Sequence, residues 1–185
     1  MSTYHHGDLR AALLQAAGEI LEKEGVAALS LREAARRAGV SHSAPYRHFP
    51  DRDSLLAALA VEGFSLLQDA ITKRPEGDRG VAYVEFALIH PQRFRLMFGG
   101  QLRLGDYPEL HAAGEGNYRN LQKAFESLGS DAPLAAAAAW SLVHGLANLI
   151  LDGHFAQAQR DSGGAAAFAR LVLGSVRVAR AQRSA

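Results

Sequence analysis

The sequence predicts an all-α protein of about nine helices. Apolar residues recur at three- and four-residue spacing along nearly the whole chain. No stretch alternates apolar and polar residues between hairpin turns. Glycines, prolines and capping side chains fall at the ends of the periodic segments.

The elements follow in order. Asp8 to Glu24 carries Leu9, Leu13, Ala17, Ile20 and Leu21 on one face and stops at Gly25, which suits a left-handed C-terminal cap. Ser30-Leu31-Arg32-Glu33 reads as a capping box, with Ser30 accepting from a backbone N–H and Glu33 reaching back. The helix it opens ends at Gly39. Ser41 caps a second short helix that runs to Phe49-Pro50, and Asp51 caps a longer one from Arg52 to Thr72. Lys73 to Gly80 is the clearest linker. Helices are then expected over Val81 to His90, Gln92 to Phe98, Pro108 to Leu128, Pro133 to Phe155 and Ala165 to Gln182.

Composition narrows the function. The 185 residues hold 20 Lys+Arg against 19 Asp+Glu, a net charge of +1, and are 48% hydrophobic. Such a chain can bury a core. Having no cysteine, it cannot be a disulfide scaffold, a cysteine-nucleophile enzyme or a thiolate metal protein, and it suits a reducing cytoplasm. Met1 to Arg10 lacks the apolar core of a secretory signal. The apolar stretch from Pro133 to Leu151 has a five-alanine run and three polar interruptions, so it reads as a buried helix with no membrane role. No G-x-S-x-G elbow, Walker loop, H-E-x-x-H or dinucleotide fingerprint is present, so the competing class, an all-α enzyme, has no catalytic residues to name. Nor do the residues imply a cofactor. Among eight histidines only His5-His6 are adjacent, so no metal site is expected.

The sharpest signal lies between Ser30 and Phe49. Two short helices joined by Ala38-Gly39-Val40-Ser41 have the form of a helix-turn-helix. Ala34, Ala35 and Ala38 let the helices cross closely, Gly39 permits the turn, and Val40 anchors it. The second helix carries His42, Ser43, Tyr46, Arg47 and His48, groups suited to a major groove. Residues 30–50 hold Arg32, Arg36, Arg37 and Arg47 against Glu33 alone, a local +3. The bland alternative is a solvated hairpin with scattered arginines. The cap, turn and aromatic-basic helix together favour double-stranded DNA as the partner.

The run Leu31-Arg-Glu-Ala-Ala-Arg-Arg-Ala-Gly-Val-Ser-His-Ser-Ala-Pro-Tyr-Arg-His-Phe49, followed by Pro50-Asp-Arg-Asp-Ser-Leu-Leu56, resembles the DNA-binding domain of the TetR family of transcriptional repressors. Trp140-Ser-Leu-Val-His-Gly145 resembles the tryptophan–histidine–glycine element of one class of that family's C-terminal domains, as does Phe86 to Phe98. The resemblance implies a DNA-binding domain over residues 1–52 and an effector-binding and dimerisation domain over 53–185. By it, Ser30 and Arg32 touch the DNA backbone or an adjacent base, and His42, Ser43 and Ala44 face bases. Tyr46, His48 and Arg52 hold phosphates. Pro45 departs from the family's usual leucine, so the recognition helix begins no earlier than Ser41. The arm Tyr4-His5-His6-Gly7 could track the backbone.

The helix from 133 to 151 has no charged residue, so other surfaces must cover it. The resemblance implies that the last two helices pair across a two-fold axis into a homodimer. Leu142, Leu146 and Leu149 are expected on the dimer side, with Phe168, Leu171, Val172, Ser175 and Ala179 on the last helix. Ser141, His144 and Asn148 form a polar stripe that needs partners, either other helices or a ligand. In the second reading Trp140, His144 and Asn148 face a small-molecule inducer, with Phe64, Phe86, Phe94, Met97 and Phe98 as apolar walls. The function expected is a ligand-responsive repressor on a palindromic operator. A helix-turn-helix regulator without a ligand is the alternative.

Overall fold

The computed structural model describes residues 6–183, and side-chain surroundings from Leu9 to Val176 except at Leu104. Tyr4 and His5 of the expected arm, and the side chains of His6, Gly7 and Ala179, lie outside the described residues. Among the described residues there are nine α-helices and no strand: α1 (His6–Glu24), α2 (Leu31–Arg37), α3 (Arg52–Thr72), α4 (Arg79–Ile89), α5 (Pro91–Phe98), α6 (Pro108–Lys123), α7 (Ala132–Leu151), α8 (Ala156–Asp161) and α9 (Ala165–Arg183). The all-α expectation holds, but not with the same nine helices. The segment after Ser41 is not an α-helix, and α8 is an addition.

Helix ends explain the differences. α7 stops at Leu151, not Phe155, because Gly153 takes a φ of 85°. The Gly153 amide donates to the Ile150 carbonyl at 3.0 Å and the His154 amide to Leu149 at 2.9 Å. These paired bonds close a helix over a left-handed residue. Phe155 has a φ of 61° and precedes α8. α6 ends at Lys123, and a 3-10 stretch, Glu126–Asp131, leads to α7. The expected linker contains a 3-10 turn, Glu76–Asp78, and α4 begins at Arg79.

The chain packs as two compact units, residues up to 65 with 90–116, and 66–89 with 117 onward. The expected functional division at residue 52 is therefore not a packing boundary. α5 belongs with α1 and α2, and α3 continues from the first unit into the second.

In the first unit, Leu13, Ile20 and Leu21 of α1 are buried with Leu31 and Ala34 of α2, Leu55, Leu56 and Leu59 of α3, and Phe94 of α5. Among the described residues, Arg93 is the one buried charged side chain. Its Nη1 donates to the Leu59 carbonyl at 3.2 Å and to Glu62 at 2.8 Å, and its Nε to Glu22 at 3.4 Å. α5 is thus pinned to both α1 and α3. The guanidinium fits because residue 18 is glycine: a Cβ there would lie 2.7 Å from Arg93 Nη2.

In the second unit α4 packs on α7 and α9. It buries Val81, Ala82, Val84, Phe86 and Ala87. α7 buries Ala136, Leu146, Ala147 and Ile150 on one side, while Leu134 and Leu149 remain exposed on another.

Candidate nucleic-acid interface

α2 is built as its residues dictate. The Ser30 hydroxyl accepts from the Glu33 amide at 3.1 Å. The Gly39 amide donates to the Arg36 carbonyl at 3.3 Å and the Val40 amide to Ala35 at 3.0 Å. Gly39 sits at φ 69°, which only glycine adopts without strain. Ala34 and Ala35 are buried, whereas Ala38 and Val40 are half-buried. The capping box is half made. Glu33 does not return to the Ser30 amide. Its carboxylate takes Arg36 Nε at 2.8 Å and Nη2 at 2.6 Å, and Arg37 Nε at 3.1 Å. Two guanidiniums one turn along the helix offer a carboxylate more than one backbone N–H does.

The second motif helix is a single 3-10 turn, Pro45–Arg47. Pro45 has no N–H to give the Ser41 carbonyl, so a helix capped at Ser41 lacks its first i→i−4 bond. The Ala44 amide donates to Ser41 at 3.0 Å instead, and the Phe49 amide reaches Pro45 at 2.9 Å. Pro45 and Phe49 are buried and hold the turn from beneath. His42, Ser43, Tyr46 and Arg47 are exposed, and Ala44 and His48 are half-buried. The His48 Nε2 is buried without a hydrogen-bond partner. Its ring lies 6.5 Å from Phe49, and the Arg10 guanidinium sits 5.5 Å above the Phe49 ring.

The +3 of residues 30–50 is less open than composition suggests. Arg36 is bound by Glu33, and Arg37 by Glu33 and by Glu24 of α1. The Arg36 guanidinium, by direct hydrogen bonding, holds the Glu33 carboxyl down at about 2. Arg52, expected at a phosphate, instead donates to the Leu29 carbonyl at 2.8 Å and to Val26 at 2.5 Å. It ties the start of α3 to the turn after α1, where the Val26 carbonyl also accepts from the Leu29 amide at 3.3 Å. Arg32 and Arg47 remain exposed to solvent.

The other expected site residues divide between the two units. In the first, Phe64 and Phe98 meet edge to face at 5.3 Å, and Phe94 and Phe98 lie 5.0 Å apart, with Met97 buried. In the second, Trp140, His144 and Asn148 share one side of α7, and Phe86 is buried in α4. Trp140 Nε1 donates to the Tyr83 hydroxyl at 3.2 Å, and that hydroxyl is 2.8 Å from His144 Nδ1. Tyr83 was not foreseen from sequence. Indole N–H can only donate, so the Tyr83 oxygen accepts from Trp140, while its bond with His144 Nδ1 runs in the direction the imidazole tautomer sets. Burial pushes the Tyr83 hydroxyl up and the His144 imidazole down. Asn148 caps back onto the His144 carbonyl at 2.9 Å, and Ser141 is exposed.

Of the residues expected between subunits, Leu149 and Leu171 are 42% and 63% exposed. Leu142, Phe168 and Val172 are half-buried, and Ser175 is exposed with its hydroxyl on the Val172 carbonyl. Leu146 is 5% exposed and lies on the side of α7 that carries Ala147 and Ile150.

Comparison with known proteins meets this geometry at both ends. Residues 13–59 match the model for bacterial regulatory proteins of the tetR family, and residues 79–174 match that for a tetracyclin repressor-like C-terminal domain. The HTH-type transcriptional regulator Rv1816 of Mycobacterium tuberculosis is 30% identical over 102 residues, which cover 49% of this chain and 44% of that protein. The HTH-type transcriptional repressor Rv3405c of the same species is 40% identical over 52 residues, 28% of each chain. The chain thus spans less than half the length of these curated relatives. A protein of unknown function from Rhodococcus sp. RHA1 superposes with a TM-score of 0.78 at 33% identity, over 95% of this chain and 96% of that one. TetR from Acinetobacter baumannii AYE shares the fold, with a TM-score of 0.65 at 19% identity over 97% and 98% of the two chains. With both halves matched, and residues 79–174 alone making up just over half of the chain, this chain belongs to the TetR family of transcriptional regulators.

Proposed function

We propose that the chain is a DNA-binding repressor that sits as a homodimer on a palindromic operator and is released by a small apolar inducer. The observation that carries the DNA reading is the exposed row His42, Ser43, Tyr46 and Arg47 on a turn held by buried Pro45 and Phe49. Arg32, on the exposed face of α2, adds a phosphate contact. Two-fold pairing supports a palindromic operator with half-sites one or more helical turns apart. The exposed leucines 134, 149 and 171 of α7 and α9 support a second copy as their cover. α3 and the segment ending in α7 are also long and apolar enough to cross a bilayer. Family membership favours the protein partner over lipid.

Release works by population shift. A ligand that binds better to a state with the wrong spacing of recognition turns must weaken operator binding, by reciprocity. α3 runs through both units and is the natural lever. The Trp140–Tyr83–His144 chain supports a sensing role for the second unit. Against this, Phe64, Phe86, Phe94 and Met97 are all buried, which favours the reading without a small molecule.

Gel shifts on the DNA upstream of the chain's own gene, at two salt concentrations, test the first claim. Specific binding that weakens with salt is expected, and Tyr46→Ala with Arg47→Ala should abolish it. Binding that survives the double substitution overturns the assignment. A thermal-shift screen with lipophilic compounds separates the two readings of release. If no compound both stabilises the protein and frees DNA, the inducer is wrong. Partition into detergent micelles without any dimer in aqueous buffer would overturn the second-copy reading.

A further inference from the structure

We propose that Glu33 is a specificity-determining residue, which suppresses binding to DNA at large by withholding the guanidiniums of Arg36 and Arg37 from phosphate. The inference rests on the DNA-binding reading above and deepens it. Arg32 and Arg36 lie one turn apart on the exposed face of α2, which is where a second phosphate contact belongs. Arg32 is open. Arg36 is 70% exposed yet is gripped by both carboxylate oxygens of Glu33, at 2.6 and 2.8 Å. Arg37 is held by Glu33 and also by Glu24 of α1, and only 24% of its side chain is exposed. The network is charge-neutral: two guanidiniums face two carboxylates. Helix α2 does not need the Glu33 carboxylate for its cap, which Ser30 makes with the Glu33 backbone amide.

The consequence follows from how the two kinds of binding divide their contacts. Non-specific association depends almost wholly on phosphate neutralisation, so a neutralised arginine pair weakens it directly. A register free to slide can place a freed guanidinium on whatever phosphate lies near. A register fixed by base contacts from His42 and Ser43 cannot. Freeing Arg36 should therefore help random DNA more than the true site, and Glu33 widens the gap between them.

The test is fluorescence anisotropy of the full chain between roughly 50 and 200 mM salt. The probes are a random duplex of about 30 base pairs and a duplex of similar length from upstream of the chain's gene. Glu33→Gln is expected to tighten random-duplex binding about tenfold at low salt and to steepen the salt slope by about 0.9 per chain. The upstream duplex should gain less than about threefold. In an Arg36→Gln, Arg37→Gln background the same substitution should do nothing. A gain that persists there comes from bulk charge and overturns the proposal, as does an equal gain on both duplexes or no gain. If Glu33→Gln fails to fold by circular dichroism, Glu24→Gln carries the test. It removes one of the two carboxylates that hold Arg37 while leaving the residues of α2 unchanged, and a smaller gain confined to the random duplex is required. Wild-type protein that binds no duplex at any salt overturns the DNA reading itself.

Discussion

Arg93 and Gly18 should behave as one unit in stability. Replacing Arg93 by Met keeps the apolar stem and removes the guanidinium with its bonds to Leu59, Glu62 and Glu22. Bonds to charged groups contribute roughly 1.5–3 kcal/mol each. Glu22 and Glu62 are 25% and 44% exposed, so water repays much of their loss. A net cost of about 2 kcal/mol is expected, or about 4–8 °C in melting temperature for a chain of this size. Gly18→Ala has two opposed effects. Alanine gains about 1 kcal/mol in a helix interior. Its Cβ would lie 2.7 Å from Arg93 Nη2, so the guanidinium must leave its place and its bonds stretch. The net in the wild type should be a loss of about 1 kcal/mol. With Arg93→Met present, the clash is gone and Gly18→Ala should stabilise by up to about 1 kcal/mol. The sign of one substitution thus reverses with the other, a coupling of about 2 kcal/mol. Urea unfolding of the four proteins, followed at 222 nm at one fixed protein concentration, measures it. Additive effects would refute the packing of Arg93 against α1.

Other outcomes can be checked with the same apparatus. Gly39→Ala forces a side chain onto φ 69° and should cost about 1 kcal/mol in urea unfolding, with α2 otherwise intact. The Glu33 carboxyl is held at about 2 against an ordinary 4.5, so its stabilisation is full above pH 4.5 and is lost as pH falls from there toward 2. The stability difference between wild type and Glu33→Gln should shrink across that window and nowhere above it. The His144 imidazole is held below its ordinary 6.5 by burial, so the unfolded chain binds the proton first. Stability should fall as pH drops below 6.5, and His144→Gln should remove that component of a melting-temperature profile. Leu171→Glu places a charge at a 63% exposed apolar position. It should convert a sedimenting dimer to monomer without loss of helical signal.

What the sequence shows plainly is local. The Ser30 cap and the Gly39 turn were readable because their partners lie within five residues. The Asp51 cap, whose carboxylate takes the Ser54 amide at 2.7 Å, was readable for the same reason. Pro45 was readable as a residue of a first turn beginning no earlier than Ser41, but the stop of that segment at a single 3-10 turn, Pro45–Arg47, was not. Gly153 itself was legible as a stop, since Asp152-Gly153-His154 breaks the apolar run before Phe155. Long-range partners were invisible. Arg93 reaches Glu22 across 71 residues and Glu62 across 31, and no pattern marks it as buried. The polar stripe on α7 announced a need for partners, but Tyr83 lies 61 residues from His144. The contacts of Arg52 with the Val26 and Leu29 carbonyls and the burial of Leu146 were invisible for the same reason, since both depend on packing between distant segments.

The turn at Pro45 also bears on how this protein can change over generations. His42 and Ser43 project from a segment with no α-helical ladder, fixed at one end by the Gly39 turn and at the other by buried Pro45 and Phe49. Helix propensity therefore places no constraint on them. Exchanges at these exposed positions should shift stability by no more than about 0.5 kcal/mol. The positions proposed to read DNA can vary freely while the scaffold stays put, so a library randomised at these two residues should yield folded chains almost throughout.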